Sequence, residues 1–287
     1  MTTLFYDYRN QFFAIAQKAA LAILSAKKEG TVVQQKADAS PVTQADLAAN
    51  QVITDGLIQL GQQASVQIPI ISEESENIPW AIRKNWTTCW MVDPLDGTRE
   101  FIAGSSEYTI NIALIHNGAP VAGLVMVPET DLYYFGAQGY GSFKFQGKNL
   151  PSEISDHWHP IFGKETNSTK IVLRSRFHFD VATQNFIEAI STAIPGITQK
   201  TMGSSLKFCE IASGAASVYP KFGTTMEWDT AAGDAICRSA GCAVLNSQTG
   251  QLLRYNRSDL TNPHFLALTP TFRNLYEHLQ IESSATT

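Results

Sequence analysis

The sequence predicts an α+β protein built in two halves, on three observations. Residues 108–145 carry a run of apolar segments broken by turn residues, the pattern of an antiparallel meander. Two amphipathic helical segments precede that run. Beyond about residue 150, strand-like and helix-like segments alternate, which is the pattern of an α/β unit. We place the N-terminal α+β half at residues 1–150, with most of the candidate ligands, and the C-terminal α/β half at residues 151–287.

The elements follow in order. Phe12, Ile15, Ala16, Ala19 and Ile23 recur at helical spacing and predict a helix from Asp7 to Lys28. A polar segment, Lys36 to Thr43, leads to a second helix carrying Leu47, Val52, Ile53, Leu57 and Leu60. Thr43 with Asp46 three residues later reads as its capping box. Short strands are expected at Gln67–Ile71, before Ser-Glu-Glu-Ser, and at Cys89–Val92, before Asp-Pro-Leu-Asp-Gly-Thr. YTINIALI and VAGLVMV flank an Asn117–Gly118 turn, and strands near Leu132–Phe135 and Gly141–Phe145 continue the meander. The polar stretch Lys148–Ser168, with Pro151 and Pro160, reads as the passage between halves. After it come a strand at Ile171–Arg176, helices at Asp180–Thr192 and Ser204–Ser213, and a strand at Ala216–Tyr219. A helix at Trp228–Ala240 and strands at Ala243–Asn246 and Phe265–Leu268 complete the half. The final ESSATT reads as a frayed tail.

Composition narrows the function classes. A charged fraction of 16% is too low for a disordered chain. Net charge is −5 and no Lys/Arg cluster appears, so no nucleic-acid partner is expected. Asp7 and Arg9 interrupt the first apolar stretch, which therefore reads as neither a leader nor a membrane span. Cys89, Cys209, Cys237 and Cys242 show no metal-binding spacing and read as buried free thiols. The expected compartment is the cytoplasm.

The chemistry concentrates in carboxylates at element ends. Glu73 and Glu74 follow one predicted strand, Asp93 and Asp96 another. Asp229 opens a helix, and Asp46 sits in the first turn of another. Hard divalent cations take oxygen ligands, and carboxylates at strand ends and helix starts can converge on one crevice. Pro94 and Gly97 shape a turn that can aim Asp93, Asp96 and the Leu95 carbonyl at one point. The Gly97 and Thr98 N–H groups would then lie at a helix start and face an anion. Each piece also has an ordinary reading. Asp46 alone is a helix cap, Asp229 alone complements a helix dipole, and Glu73 and Glu74 alone are surface residues. Their co-occurrence favours a site.

Thr43-Gln-Ala-Asp46, Glu73-Glu74, Asp93-Pro-Leu-Asp-Gly-Thr98 and Trp228-Asp-Thr-Ala-Ala-Gly233 together resemble the inositol monophosphatase superfamily of lithium-sensitive phosphatases. The longer segments WMVDPLDGTREFI and GSSLKFCEIASGAASVYPKFGTTMEWDTAAG resemble its bisphosphate nucleotidase branch. The resemblance runs from the first helix to Leu268. It implies a layered α-β-α-β-α sandwich and a Mg²⁺-dependent phosphatase acting on 3'-phosphoadenosine 5'-phosphate, with two or three ions. It also implies direct attack of water on phosphorus without a covalent phospho-enzyme, and inhibition by lithium.

Carried over residue by residue, Glu73, Asp93 and the Leu95 carbonyl would hold one ion, and Asp93, Asp96 and Asp229 a second. Glu73 would also reach a third ion through water. Asp46 and Thr98 would orient or deprotonate the attacking water, with Glu73 in support and Glu74 behind it. The substrate would meet Glu73, Leu95, Asp96, Gly97, Thr98 and Asp229. Arg174, Ser175, Arg176, His178 and Ser204 would approach the nucleotide, and Lys207 and Lys221 would hold the phosphate that is not cleaved. Arg174 and Arg176 read equally well as an exposed strand edge. His157 and His159 read as a surface loop. Trp86, Trp90, Tyr133, Tyr134 and Tyr140 read as packing, and Trp228 as support for its helix start.

The resemblance also leaves room for a homodimer and for peripheral attachment at the cytoplasmic face of the inner membrane. Other readings are an inositol phosphate or sugar bisphosphate phosphatase, an interaction protein of RNA metabolism with secondary catalysis, and an inactive phosphonucleotide sensor.

Overall fold

The computed structural model describes residues 8–30, 33–35, 41–148, 158–165, 169–177 and 180–279. Five layers stack in the order helices, sheet, helices, sheet, helices. The outer helices are α1 (Arg9–Glu29) and α2 (Gln44–Gln63). They cover a seven-stranded sheet of β3 (Ile70–Ser72), β4 (Thr88–Asp96), β5 (Thr109–His116), β6 (Ala119–Val127), β7 (Leu132–Ala137), β8 (Gly141–Gln146) and β9 (His159–Ile161), in that spatial order. Its strands pair antiparallel except β3 with β4, which run parallel.

Side-chain alternation explains why this sheet needs a layer on each face. Ile110, Ile112, Leu114, Leu124, Met126, Tyr133 and Phe135 pack with Phe12, Phe13, Ile53 and Leu57 of the outer helices. The intervening Ala113, Ile115, Val125 and Tyr134 face the middle layer, α6 (Leu206–Ala212) and α7 (Glu227–Ser239). With both faces buried, the strands read as nearly continuous apolar runs.

The second sheet has the order β11 (Thr198–Met202), β10 (Ile171–Ser175), β12 (Val218–Lys221), β14 (Phe265–Leu268), β13 (Ala243–Asn246). Parallel pairing joins β10 to β11 and β12, and antiparallel pairing joins β14 to β12 and β13. Tyr219, Val244, Phe265 and Ala267 face the middle helices. Val218, Leu245, Leu266 and Leu268 face the last layer, α5 (Val181–Ala193) and α8 (Pro270–Leu279).

The five-layer expectation is met, with local corrections. The polar stretch before the second helix contains a short hairpin of β1 (Val33–Gln35) and β2 (Pro41–Thr43). Within the predicted passage, β9 pairs with β8 and adds an edge strand to the first sheet. It is only three residues long and buries Ile161 alone, so no alternation announced it; His159 lies there, exposed. Strand β11 is polar and exposed over Thr198, Gln199 and Lys200, so it showed no apolar alternation either. Helix α8 and the short helices α3 (Trp80–Arg83) and α4 (Thr98–Ile102) complete the described elements. Trp90, Tyr133 and Tyr134 are core residues, whereas Tyr140 is exposed. Asp7, His157, His178 and the ESSATT tail lie outside the described residues. No helix among the described residues is long and apolar enough to cross a membrane.

Candidate active site

Parallel pairing sets the first two carboxylates side by side. Ser72 is in register with Val92, and the Glu73 N–H donates to the Val92 carbonyl at 3.2 Å. Glu73 and Asp93 therefore leave the same end of neighbouring strands. Asp-Pro-Leu-Asp is not a separate turn. It is an irregularity inside β4: Asp93 pairs with Asn111 and Asp96 with Thr109, so Pro94 and Leu95 oppose Ile110 alone. Proline has no N–H for the ladder, and a bulge is where a strand tolerates it. The Leu95 N–H turns back to Asp93 Oδ1 at 3.0 Å. Gly97 then adopts φ +94°, a left-handed conformation suited to glycine, and α4 starts at Thr98.

The third carboxylate arrives from the middle layer. Asp229 lies in the first turn of α7, where Oδ2 accepts the Met226 N–H at 2.7 Å. Ser205 Oγ–H donates to the Asp229 carbonyl at 2.8 Å and to this extent ties α7 to the turn before α6. Glu73, Asp93 and Asp229 each present an oxygen within 4.8 Å of the others. Asp96 lines the same cavity, with Asn111 Nδ2 donating at 3.4 Å, and its charge bears on both Asp93 and Asp229. Glu74 does not line the cavity.

Burial, with repulsion from neighbouring carboxylates second, pushes the carboxyl groups of Asp93 and Asp229 well above their ordinary range. The Met226 N–H and, after it, Lys221 oppose this at Asp229. An all-oxygen donor set with uncompensated negative charge fits a hard divalent cation.

Asp46 and Thr98 meet beside this group. Thr43 caps α2, and Asp46 Oδ2 accepts from the Thr43 N–H at 2.8 Å and from its hydroxyl at 2.5 Å. Asp46 Oδ1 accepts the Thr98 hydroxyl at 3.1 Å. Burial raises the Asp46 pKa against the lowering effect of these donors. A carboxylate of raised basicity thus holds a hydroxyl whose lone pairs remain available to a water.

The cavity, about 300 Å³, extends from these groups past Ser175, Ser204, Ser205, Tyr219, Thr225 and Phe265. It includes two buried lysines. Lys207 Nζ donates to the carbonyls of Ser204 at 2.7 Å and Met202 at 3.3 Å, and burial lowers its pKa to about 8. Lys221 is buried, and its pKa is lowered by the same cause. Arg174 does not reach this cavity: its Nε donates to Thr201 Oγ, and it lines an adjoining cleft that shares Ser175 and Lys221. Arg176 is exposed and pairs with Glu107 at 2.7 Å. Sequence reasoning missed Ser205, Glu100, Tyr219 and Thr225. All four positions fall inside segments already singled out, and none carries a separate signal there. Trp228, read as support, lines the cavity as well.

The inositol monophosphatase family profile matches residues 7–279. The chain belongs to the inositol monophosphatase family. Among curated family members, it is 40% identical over 261 residues to the 3'(2'),5'-bisphosphate nucleotidase CysQ of Escherichia coli O6:H1, covering 89% of this chain and 97% of that one. It is 30% identical to CysQ of Haemophilus influenzae, over 93% and 94% of the two chains. Among solved family structures, that of CysQ from Bacteroides thetaiotaomicron superposes with a TM-score of 0.80 at 36% identity, covering 92% of this chain and 98% of that one. The SuhB structure from Bartonella henselae, at 22% identity and a TM-score of 0.74, shares the fold.

Proposed function

We propose that this chain is a magnesium-dependent 3'(2'),5'-bisphosphate nucleotidase that converts adenosine 3',5'-bisphosphate to AMP and phosphate. The observation that carries this reading is the convergence of Glu73, Asp93 and Asp229 beside the Asp46–Thr98 pair, in a cavity that also contains two buried lysines. Similarity to CysQ proteins over nearly the whole chain supports the choice of nucleotide.

Glu73, Asp93, Asp96, Asp229 and the Leu95 carbonyl would hold two or three Mg²⁺ ions. When bound, these ions neutralise phosphate charge and lower the pKa of water. The chain supplies the rest. Thr98 Oγ accepts a hydrogen bond from the attacking water, and Asp46 takes up the proton through it. The N–H groups of Gly97 and Thr98 face the phosphoryl oxygens. Lys221 and the remaining N–H of Lys207 hold the phosphate that is not cleaved, since an ammonium has three donors and Lys207 commits two to carbonyls. Ser175 and Ser204 line the path of the nucleoside. Arg174 and His178 keep only a proposed role at its far end. The cytoplasm is the proposed compartment.

The test is phosphate release from adenosine 3',5'-bisphosphate, inositol 1-phosphate, inositol 1,4-bisphosphate and fructose 1,6-bisphosphate, with Mg²⁺ and with chelator. The expected result is preference for the nucleotide and a loss of at least roughly 10³-fold on chelation. Preference for an inositol or sugar phosphate would overturn the substrate. Absence of turnover on all four would favour an interaction or sensor role.

A further inference from the structure

We propose that Asn111 is a positioning residue for the cation site. Its buried amide holds Asp96 and, through Ser205, the segment that carries Asp229 against their mutual repulsion. The inference rests on the reading that these carboxylates hold Mg²⁺; it does not depend on which phosphate ester is cleaved.

Asn111 is 1% exposed. It stands opposite Asp93 in the β4–β5 register, so the two side chains leave the same face of the sheet. Further along β5 that face is apolar, with Ala113 and Ile115 packed against the middle helices. At Asn111 it turns polar, beside the irregularity in β4. Nδ2 donates to Asp96 Oδ2 at 3.4 Å and to Ser205 Oγ at 3.0 Å. The Ser205 hydroxyl in turn donates to the Asp229 carbonyl at 2.8 Å. One side chain of the first sheet thus connects a carboxylate of β4 with the start of α7 in the middle layer.

Packing alone does not call for an amide here. Asn111 Oδ1 is buried and meets no donor among the described residues, a cost that a leucine of similar size avoids. Turning the amide over would set Oδ1 against the Asp96 carboxylate, acceptor to acceptor. The N–H side is therefore the side the site uses. No other neighbouring charge acts on Asp229 as strongly as that of Asp96, and at Asp93 only Glu73 acts more strongly. Carboxylates this close push one another apart unless something holds them. A lysine or arginine at position 111 would hold them but cancel the charge that attracts a cation. A neutral amide orients them and leaves that charge in place.

The experiment titrates Mg²⁺ calorimetrically into chelator-stripped protein without substrate, for the wild type, Asn111→Leu, Asn111→Ala and Ser205→Ala. Thermal unfolding without Mg²⁺ identifies the variants that are folded at the titration temperature, so that Kd reports the site and not the core. The expected result is a Kd for Mg²⁺ about 10- to 100-fold weaker in both Asn111 variants. Ser205→Ala, which breaks only the second connection, should weaken Kd by a smaller factor. An unchanged Kd in a folded Asn111 variant overturns the assignment, since a residue that only fills the core leaves the affinity of the folded protein as it was. Failure of both Asn111 variants to fold overturns it too, by making Asn111 a core residue. A wild-type Kd in Ser205→Ala overturns the part given to Ser205. If the wild type itself binds no Mg²⁺, the cation reading has failed, and the assignment falls with it.

Discussion

The Thr98 hydroxyl joins two segments 52 residues apart, and its bond to Asp46 is the smallest unit of the proposed chemistry. Thr98→Ala removes the hydroxyl without touching the carboxylate cluster. We expect kcat to fall roughly 10²- to 10³-fold with KM little changed, as measured by steady-state phosphate release. A parallel rise in KM would assign Thr98 to binding instead. Lys207 sets a pH limit. Burial lowers its pKa from 10.5 to about 8, with Asp96 and Glu100 opposing the shift. Above about 8 the folded protein loses a donor that holds the Met202 and Ser204 carbonyls. We expect kcat/KM to decline with an apparent pKa near 8, and Lys207→Arg, which keeps its charge, to move that limb to higher pH. The stability contribution has the opposite sign. The unfolded chain keeps this proton up to 10.5, so the Lys207 contribution grows as pH rises from about 8 to 10.5 and is lost as pH falls through 8.

Helix α2 shows how one local device serves both stability and the site. Thr43 satisfies the Ala45 N–H, and Asp46 satisfies the Thr43 N–H, which is the reciprocal pattern of a capping box. The same contacts fix the direction of Asp46 toward Thr98. Thr43→Ala should cost about 1 kcal/mol in thermal or denaturant unfolding. It should also lower kcat on the order of tenfold, because Asp46 loses one of its anchoring donors. Thr43→Ser, which keeps the hydroxyl, should restore both. Loss of stability with full activity would show that the Asp46 orientation is held by other means. In β4 the irregularity at Pro94 plays the matching role: it breaks the ladder where the strand hands Asp93 and Asp96 to the cavity.

Across the whole molecule, the layered core encloses all four thiols. Cys89, Cys209, Cys237 and Cys242 are buried. Burial pushes the Cys89 and Cys242 thiols up to about 12 and the other two well above 9.0. Native protein should give no reaction with a thiol reagent at pH 8, and four thiols per chain after unfolding. One or more reactive thiols in the native state would contradict the layer packing. These acids ionise in the unfolded chain near 9 but not in the folded one. Their contribution is complete below 9 and is lost as pH rises toward 12, by about 4 kcal/mol each for Cys89 and Cys242.

The sequence by itself determined the elements with strong apolar periodicity, the capping box at Thr43 and the family, because four ordered motifs survive as local strings. It also pointed to Glu73, Asp93 and Asp229, since residues at element ends are the ones a layered fold can bring together. Strands β9 and β11 were not legible: β9 is three residues long, β11 is polar, and both lie at sheet edges, where little of either face is buried. Only the tertiary structure decided that Arg174 turns to Thr201 and out of the main cavity, that Lys207 spends two donors on backbone carbonyls, and that Glu73, Asp93 and Asp229 bring one oxygen each within 4.8 Å of one another. The Arg174–Thr201 bond spans 27 residues, and the Lys207 bonds, which span only 3 and 5, depend on which surface the layers bury; local sequence carries neither.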